Sequence, residues 1–383
     1  MTTYRRRMLD VLVLNGPNLN LLGTRAPEIY GTTTLAELDD LCVTWGTDLD
    51  IRVRTMQSNH EGALVDALHD ARGQVDGVIL NAGAYTHTSY ALRDAVEAVD
   101  IPTVEVHISN VEEREEWRRR SVIRPACVAT IYGRGVDGYR WALRHLAARM
   151  AIPFTTHRYG AAPDQVFDLR RAHEPGGLAV LVHGGFWRHQ WTRDTMDELA
   201  VDLVGRGWST ANVEYRRVGT GGGWPLTRDD VVAATREATA ETGAARVMLV
   251  GMSAGAQLAL SAGSVLADEG TPPELIVSLA GVTDLVSAVR EGFGGEAVST
   301  FLGGTPPVEA SPIADRPGRI PVLLAHGDAD ELVPVRQSED YAAAAGDAAR
   351  LIVVPRGDHF GFLDAGDPMW GTVAAALPAL TDA

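Results

Sequence analysis

The chain has 383 residues, 45% of them hydrophobic and 22% charged, a soluble balance with room for two ordinary domains. A formal net charge of −16 argues against the basic face a nucleic-acid partner requires, although a pocket can be locally basic within an acidic protein. The only cysteines, Cys42 and Cys127, have no metal-ligand spacing and suit a reducing cytoplasm.

At the N-terminus, Arg5, Arg6 and Arg7 precede the apolar Met8–Leu14 and give the outline of a leader. Asp10 interrupts the run and Asn15-Gly16-Pro17-Asn18 ends it, so the segment reads as a short tail before a buried strand. No stretch is long and apolar enough to span a bilayer. Strands are then expected at Leu9–Leu14, Ile51–Met56, Gly77–Asn81, Thr103–Ile108 and Cys127–Tyr132. Helices are expected at Leu35–Trp45, Glu61–Ala71, Ser89–Val99, Val111–Trp117 and Tyr139–Met150. Apolar strands alternating with helices predict a parallel sheet covered on both faces, here an α/β domain with a flavodoxin-like wind of five strands. Pro153 is a stop signal, which places a domain boundary near residue 152, with domains at 1–151 and 152–383. A second series of strands follows at Val166–Leu169, Leu178–Val182, Thr210–Glu214, Val247–Val250, Leu275–Leu279, Val322–Ala325 and Leu351–Val354. The Gly-rich stretches Gly219–Gly223, Gly270–Pro273 and Gly303–Pro307 read as internal loops.

Ligands of open α/β sheets lie beyond the carboxyl ends of the strands. Asn15 and Asn18 follow the first strand, Asn81-Ala82-Gly83 ends the third, and His107-Ile108-Ser109-Asn110 ends the fourth. The loop Gly16–Gly31 carries Arg25 and Tyr30, and a loop of that length in a compact domain is often a lid. Further strings are Leu22-Gly23-Thr24-Arg25-Ala26-Pro27, Gln57-Ser58-Asn59, Thr86-His87-Thr88-Ser89, and Glu105-Val106-His107 with Arg114 and Arg118. In this order and spacing, over nearly all of residues 8–150, they closely resemble the type II 3-dehydroquinate dehydratases. The resemblance implies reversible anti elimination of water from 3-dehydroquinate, giving 3-dehydroshikimate, in biosynthesis or catabolism alike. It implies Tyr30 as the base, made acidic by Arg25 with help from Arg114, because a free tyrosine titrates at about 10. It implies His107 as the general acid. Glu105 lies two residues before it on the same strand face and orients the imidazole. Asn18, Asn81, His87, Ile108, Ser109, Arg114 and Arg118 would hold the substrate. Asp94 matches a position that reaches a neighbouring subunit's site, in a family that assembles trimers into a dodecamer. No Gly-rich phosphate loop follows the first strand, so no flavin, dinucleotide or other cofactor is expected, and neither half suggests a metal.

In the second half, Val247–Val250 runs into Gly251-Met252-Ser253-Ala254-Gly255 and a helical stretch, which is G-x-S-x-G in its strand–turn–helix setting. The order Ser…Asp…His follows. Asp330 is the expected orienting acid, Asp328 its runner-up and Asp284 a distant third, with His359 in Gly357-Asp358-His359-Phe360 as base. His326 reads as structural. His183-Gly184-Gly185-Phe186-Trp187 ends an earlier strand and supplies an oxyanion loop, with backbone N–H groups near Gly184, Gly185 and Ala254. With Trp187-Arg188 and Tyr215-Arg216, residues 155–383 resemble the arylformamidase and small-carboxylesterase branch of the α/β-hydrolases. The resemblance speaks for fold and mechanism. The substrate stays open between an ester of quinate or a related cyclic acid, linked to the first activity, and an aryl formamide.

The leading expectation is therefore a bifunctional lyase–hydrolase acting on small molecules, cytoplasmic and homo-oligomeric, with no membrane or nucleic-acid partner. The alternative makes the first domain an oligomeric scaffold for an active esterase or formamidase. A third reading makes the second domain a substrate-binding module without catalysis.

Overall fold

The apolar runs become strands because each is covered on both faces, which only a sheet between two helical layers provides. The computed structural model describes residues 8–378 except 112, 113, 317 and 319. The Arg5–Arg7 segment lies outside the described residues. Two compact units divide the chain, one ending at Ala151 and the other beginning at Ile152.

In the first unit the order is β1 (Leu9–Asn15), α1 (Pro27–Tyr30), α2 (Leu35–Asp48), β2 (Ile51–Gln57), α3 (Glu61–Ala71) and β3 (Gly77–Asn81). Then come α4 (Tyr90–Val99), β4 (Thr103–His107), β5 (Ala129–Tyr132) and α5 (Asp137–Ala151). The strands lie in the order β2-β1-β3-β4-β5, all parallel, which is the expected flavodoxin-like wind. One layer of core joins Leu38 and Cys42 of α2 and Leu143 and Leu146 of α5 to Val11, Val13, Val104 and Val106. The other joins Leu64, Leu68, Leu92 and Val96 of α3 and α4 to Leu14 and Leu80. Local signals set the helix starts. Thr34 and Glu37 form a capping box at α2, and the Ser89 hydroxyl accepts from Leu92 N at α4.

The second unit opens with β6 (Thr155–Arg158), β7 (Val166–Arg170), β8 (Gly177–Val182), α6 (Asp197–Gly205) and β9 (Trp208–Val213). It continues through α7 (Leu226–Thr242), β10 (Val247–Met252), α8 (Ala254–Asp268), β11 (Leu275–Leu279), α9 (Leu285–Glu291) and α10 (Glu296–Leu302). Last come β12 (Val322–Gly327), α11 (Arg336–Ala345), β13 (Ala349–Val354) and α12 (Pro368–Ala376). The sheet order is β13-β12-β11-β10-β8-β9-β7-β6, with β6 and β7 antiparallel to their neighbours and the rest parallel. This is an α/β-hydrolase sheet, as expected.

Three elements differ from the sequence reading. The strand β6 was not expected, and Tyr30 sits in a four-residue helix within the presumed open loop. The helix expected at Val111–Trp117 is replaced by a 3-10 turn at Glu116–Arg118, with Glu112 and Glu113 outside the described residues. Three arginines in a row follow Trp117, and no apolar periodicity continues to hold a longer helix.

Candidate active sites

In the first unit, the loops after β1, β3 and β4 line a single cleft. Asn18, Arg25, Tyr30, Asn81, His87, His107, Ile108, Ser109 and Arg118 all line it. Arg114 stands behind Tyr30 and donates to its hydroxyl at 3.4 Å and to Ser109 Oγ at 3.3 Å. The Arg25 and Arg114 guanidinium carbons lie 5.5 and 5.8 Å from the Tyr30 ring centre. Asp94 is exposed on α4, outside its own chain's cleft.

The two histidines of the cleft are set differently. His87 Nδ1 lies 2.8 Å from the Arg120 carbonyl, which can only accept, so Nδ1 carries the proton and Nε2 is left as an acceptor. Burial, opposed by that hydrogen bond, pushes the His87 pKa below its ordinary value. His107 ends β4 and lines the cleft, its Nε2 at 3.1 Å from Glu105 Oε1. Glu105 is fully buried and also accepts from Thr86 Oγ1 at 2.9 Å and Ser121 Oγ at 2.8 Å. Burial opposes its charge, but His107, Ser121 and Thr86 outweigh burial and hold its pKa below the usual 4.5. Sequence reasoning found Glu105 and quoted Thr86 within a matching string, but gave neither Thr86 nor Ser121, 19 and 16 residues away, a role beside it.

This carboxylate links the site to acid stability. Its folded pKa is depressed, so ionised Glu105 contributes its full stabilisation above pH 4.5, and that contribution is lost as the pH falls through the folded value. Glu105→Gln is expected to flatten the acid side of the Tm–pH curve below pH 4.5. A variant that melts with the wild-type acid slope over that interval would remove Glu105 as the source.

In the second unit, Ser253 stands between β10 and α8 with φ 56° and ψ −118°. A side chain on Gly251 would strike the carbonyl of Gly255, and one on Gly255 would strike those of Val182 and His183. Both glycines are therefore required for the sharp turn. Ser253 and His359 are nearly buried, and Ser253 Oγ makes no hydrogen bond within the described residues. Such bonds often tighten only with substrate.

His359, after β13, faces Asp330 Oδ2 through Nδ1 at 2.6 Å. Asp330 Oδ1 accepts from the N–H groups of Leu332 and Val333 at 2.8 and 2.9 Å. The other two carboxylates are engaged elsewhere. Asp328 accepts from the Arg356 N–H, and Asp284 caps α9. His326, read from the sequence as structural, packs against the Asp330 carboxylate. It is fully buried with Nε2 at 3.3 Å from Asp330 Oδ2, and Nδ1 at 2.7 Å from Ser338 Oγ. Burial opposes the Asp330 charge, but His326, His359 and the Val333 N–H hold its pKa far below the usual 3.8.

The loop after β8 packs against the same turn. A Cβ on Gly184 would lie 3.0 Å from Ser253 Cβ, and Gly185, at φ 109°, would collide with the Trp191 ring. The N–H groups of Gly185 and Ala254 have no recorded protein acceptor among the described residues. Behind the loop, His183 bridges the Gly184 carbonyl at 2.8 Å and Glu214 Oε1 at 2.9 Å. Burial works against the Glu214 charge, but His183, Arg217 and Arg193 outweigh it and hold its pKa below the usual 4.5. A buried ionic cluster thus braces this loop.

Residues 9–147 match the family model described as Dehydroquinase class II, and residues 166–344 match that described as BD-FAE. A 3-dehydroquinate dehydratase of Ruegeria pomeroyi is 55% identical over 144 residues, covering 38% of this chain and 97% of the relative. A catabolic 3-dehydroquinase of Verticillium alfalfae is 54% identical over 142 residues, covering 37% of this chain and 95% of the relative. Among solved structures, an HSL homologue from a metagenome library matches at TM-score 0.50 and 20% identity. It covers 59% of this chain and 83% of that one, a likeness of fold.

Proposed function

Because the chain belongs, through its first unit, to the class II dehydroquinases, we propose that this unit, residues 1–151, dehydrates 3-dehydroquinate to 3-dehydroshikimate. The observation that carries the reading is one cleft holding a tyrosine beside two guanidinium groups and a histidine beside a buried carboxylate. Tyr30, acting as phenolate beside the Arg25 and Arg114 guanidinium groups, removes the proton α to the ketone, and the electron pair passes into an enolate. The enolate reforms the ketone as the C–O bond breaks, and His107 gives its proton to the departing hydroxyl, which leaves as water. Glu105 holds the imidazole in place. Asn18, Asn81, neutral His87, Ser109, the Ile108 backbone, Arg114 and Arg118 bind the hydroxyls and carboxylate. The chain contains no lysine, so no lysine imine is available to activate the ketone. Conjugated-enone absorbance from 3-dehydroquinate tests the activity directly.

For the second unit, residues 152–383, the reading is serine-dependent hydrolysis of an ester or amide. The strained Ser253 turn and the short Asp330–His359 contact carry it. Ser253 attacks the acyl carbon, His359 takes its proton and later returns it to the leaving group, and Asp330 holds the imidazole. The N–H groups of Gly185 and Ala254, with Gly184 close by, receive the developing oxyanion. Gly185→Ala is expected to lower ester hydrolysis about 100-fold, because its φ and the Trp191 ring both resist a side chain. Initial rates on p-nitrophenyl acetate measure it, and a loss under threefold would remove Gly185 from the oxyanion site.

An oligomer with Asp94 near a neighbouring subunit's site, in a reducing cytoplasm that keeps Cys42 and Cys127 as free thiols, belongs to the same reading. Light scattering on the full chain measures the assembly. Among the described residues, no helix is long and apolar enough to cross a membrane.

A further inference from the structure

Behind the first cleft, the fully buried Tyr139 of α5 reaches the ends of β1 and β3. Its hydroxyl lies 2.9 Å from Asn81 Nδ2 and 2.6 Å from Asn15 Oδ1. Neither Tyr139 nor Asn15 touches the cleft, whereas Asn81 lines it.

The direction of this chain of hydrogen bonds follows from which atoms can donate. The Gly83 N–H can only donate, so the Asn81 atom 3.2 Å from it is Oδ1. Nδ2 then faces Tyr139, and the phenol oxygen accepts from it. The phenol proton needs an acceptor of its own, and Asn15 Oδ1 supplies one. Turning either amide over sets two donors or two acceptors against each other. Burial raises the Tyr139 pKa far above 10, so its oxygen stays a neutral phenol, unsuited to act as the base. Asn15 Nδ2 is buried with no protein acceptor, a cost accepted at a position where its oxygen is in use.

We propose that Tyr139 is a positioning residue for the dehydration, its hydroxyl holding the Asn81 carboxamide in one of its two orientations. So held, Asn81 keeps one N–H and one oxygen lone pair for the cleft. That pair matches a substrate hydroxyl, which both accepts and donates. The proposal rests on the reading of Asn81 as a substrate contact. Without the Tyr139 hydroxyl, the amide keeps only the Gly83 N–H as a guide, and bound substrate must order it.

Tyr139→Phe keeps the ring in the core and removes only the oxygen. The test measures kcat and KM for 3-dehydroquinate in the full chain for wild type, Tyr139→Phe, Asn81→Ala and the double variant, with thermal melts alongside. Tyr139→Phe is expected to lower kcat/KM about tenfold, and to change it less than about twofold when Asn81 is already alanine. Should Tyr139→Phe fold poorly, Asn15→Leu removes the acceptor of the phenol proton instead and is expected to lower kcat/KM in the same direction. An equal loss from Tyr139→Phe in both backgrounds, or full activity in a folded Tyr139→Phe or Asn15→Leu, overturns the proposal. Wild-type kinetics in Asn81→Ala alone overturn the reading of Asn81, and the proposal with it.

Discussion

Tyr30→Phe is expected to lower kcat for dehydration about 1,000-fold while substrate affinity and fold stay in place. The ring packs partly against the first core layer and phenylalanine preserves that contact. What disappears is the oxygen that Arg114 approaches at 3.4 Å, and with it the base proposed for the α proton. Arg25, His107 and the binding residues remain, so the loss falls on kcat more than on KM. The enone assay on the full chain measures it, and a rate within tenfold of wild type would sink Tyr30 as base. The experiment also addresses the scaffold alternative. If the first unit only assembled, wild type and variant would share the same negligible rate.

Ser253→Ala is expected to lower ester hydrolysis by about 10,000-fold or more and to leave dehydration unchanged. The nucleophile, base and acid act as a unit, so loss of the hydroxyl leaves only the contribution of the oxyanion loop and binding. Alanine fits the turn sterically no worse than serine, because both carry a Cβ at φ 56°. A residual rate above about 1% of wild type would contradict the assignment. Persistent labelling of the alanine variant by a serine-reactive phosphonate would do the same. Unchanged dehydration in the same preparation controls for folding of the first unit.

Much of this was legible in sequence for a definite reason. Strands such as Gly77–Asn81 and Gly177–Val182 are buried on both faces, so all but the terminal Asn81 lack polar side chains and they stand out as runs. The cleft residues follow strand ends, where adjacent polar letters mark them. The edge strand Thr155–Arg158 carries no such mark, because three of its four residues are exposed. The helix Pro27–Tyr30 is too short for any periodicity to register. The partners behind each site were hidden for another reason. Ser121 serves Glu105, Glu214 serves His183, and Tyr139 serves Asn15 from 124 residues away. Such pairings are products of the fold, and nothing near these residues in the chain announces them. Tyr139 itself entered the sequence reading only as the first residue of the expected helix Tyr139–Met150.

The position of α5 has a consequence for how the protein is made. It is the last element of the first unit, and it holds the amides that end the first and third strands. During synthesis the five-stranded sheet can therefore be complete while the floor of the cleft still lacks its brace. A ribosome must pass residue 151, and so begin the second unit, before α5 is fully formed. Truncated chains ending near Gly135 would keep all five strand segments but lose Tyr139, Leu143 and Leu146 from one core layer, and are expected not to bind 3-dehydroquinate. Competence for the proposed first reaction is therefore expected only once translation of the next unit has begun.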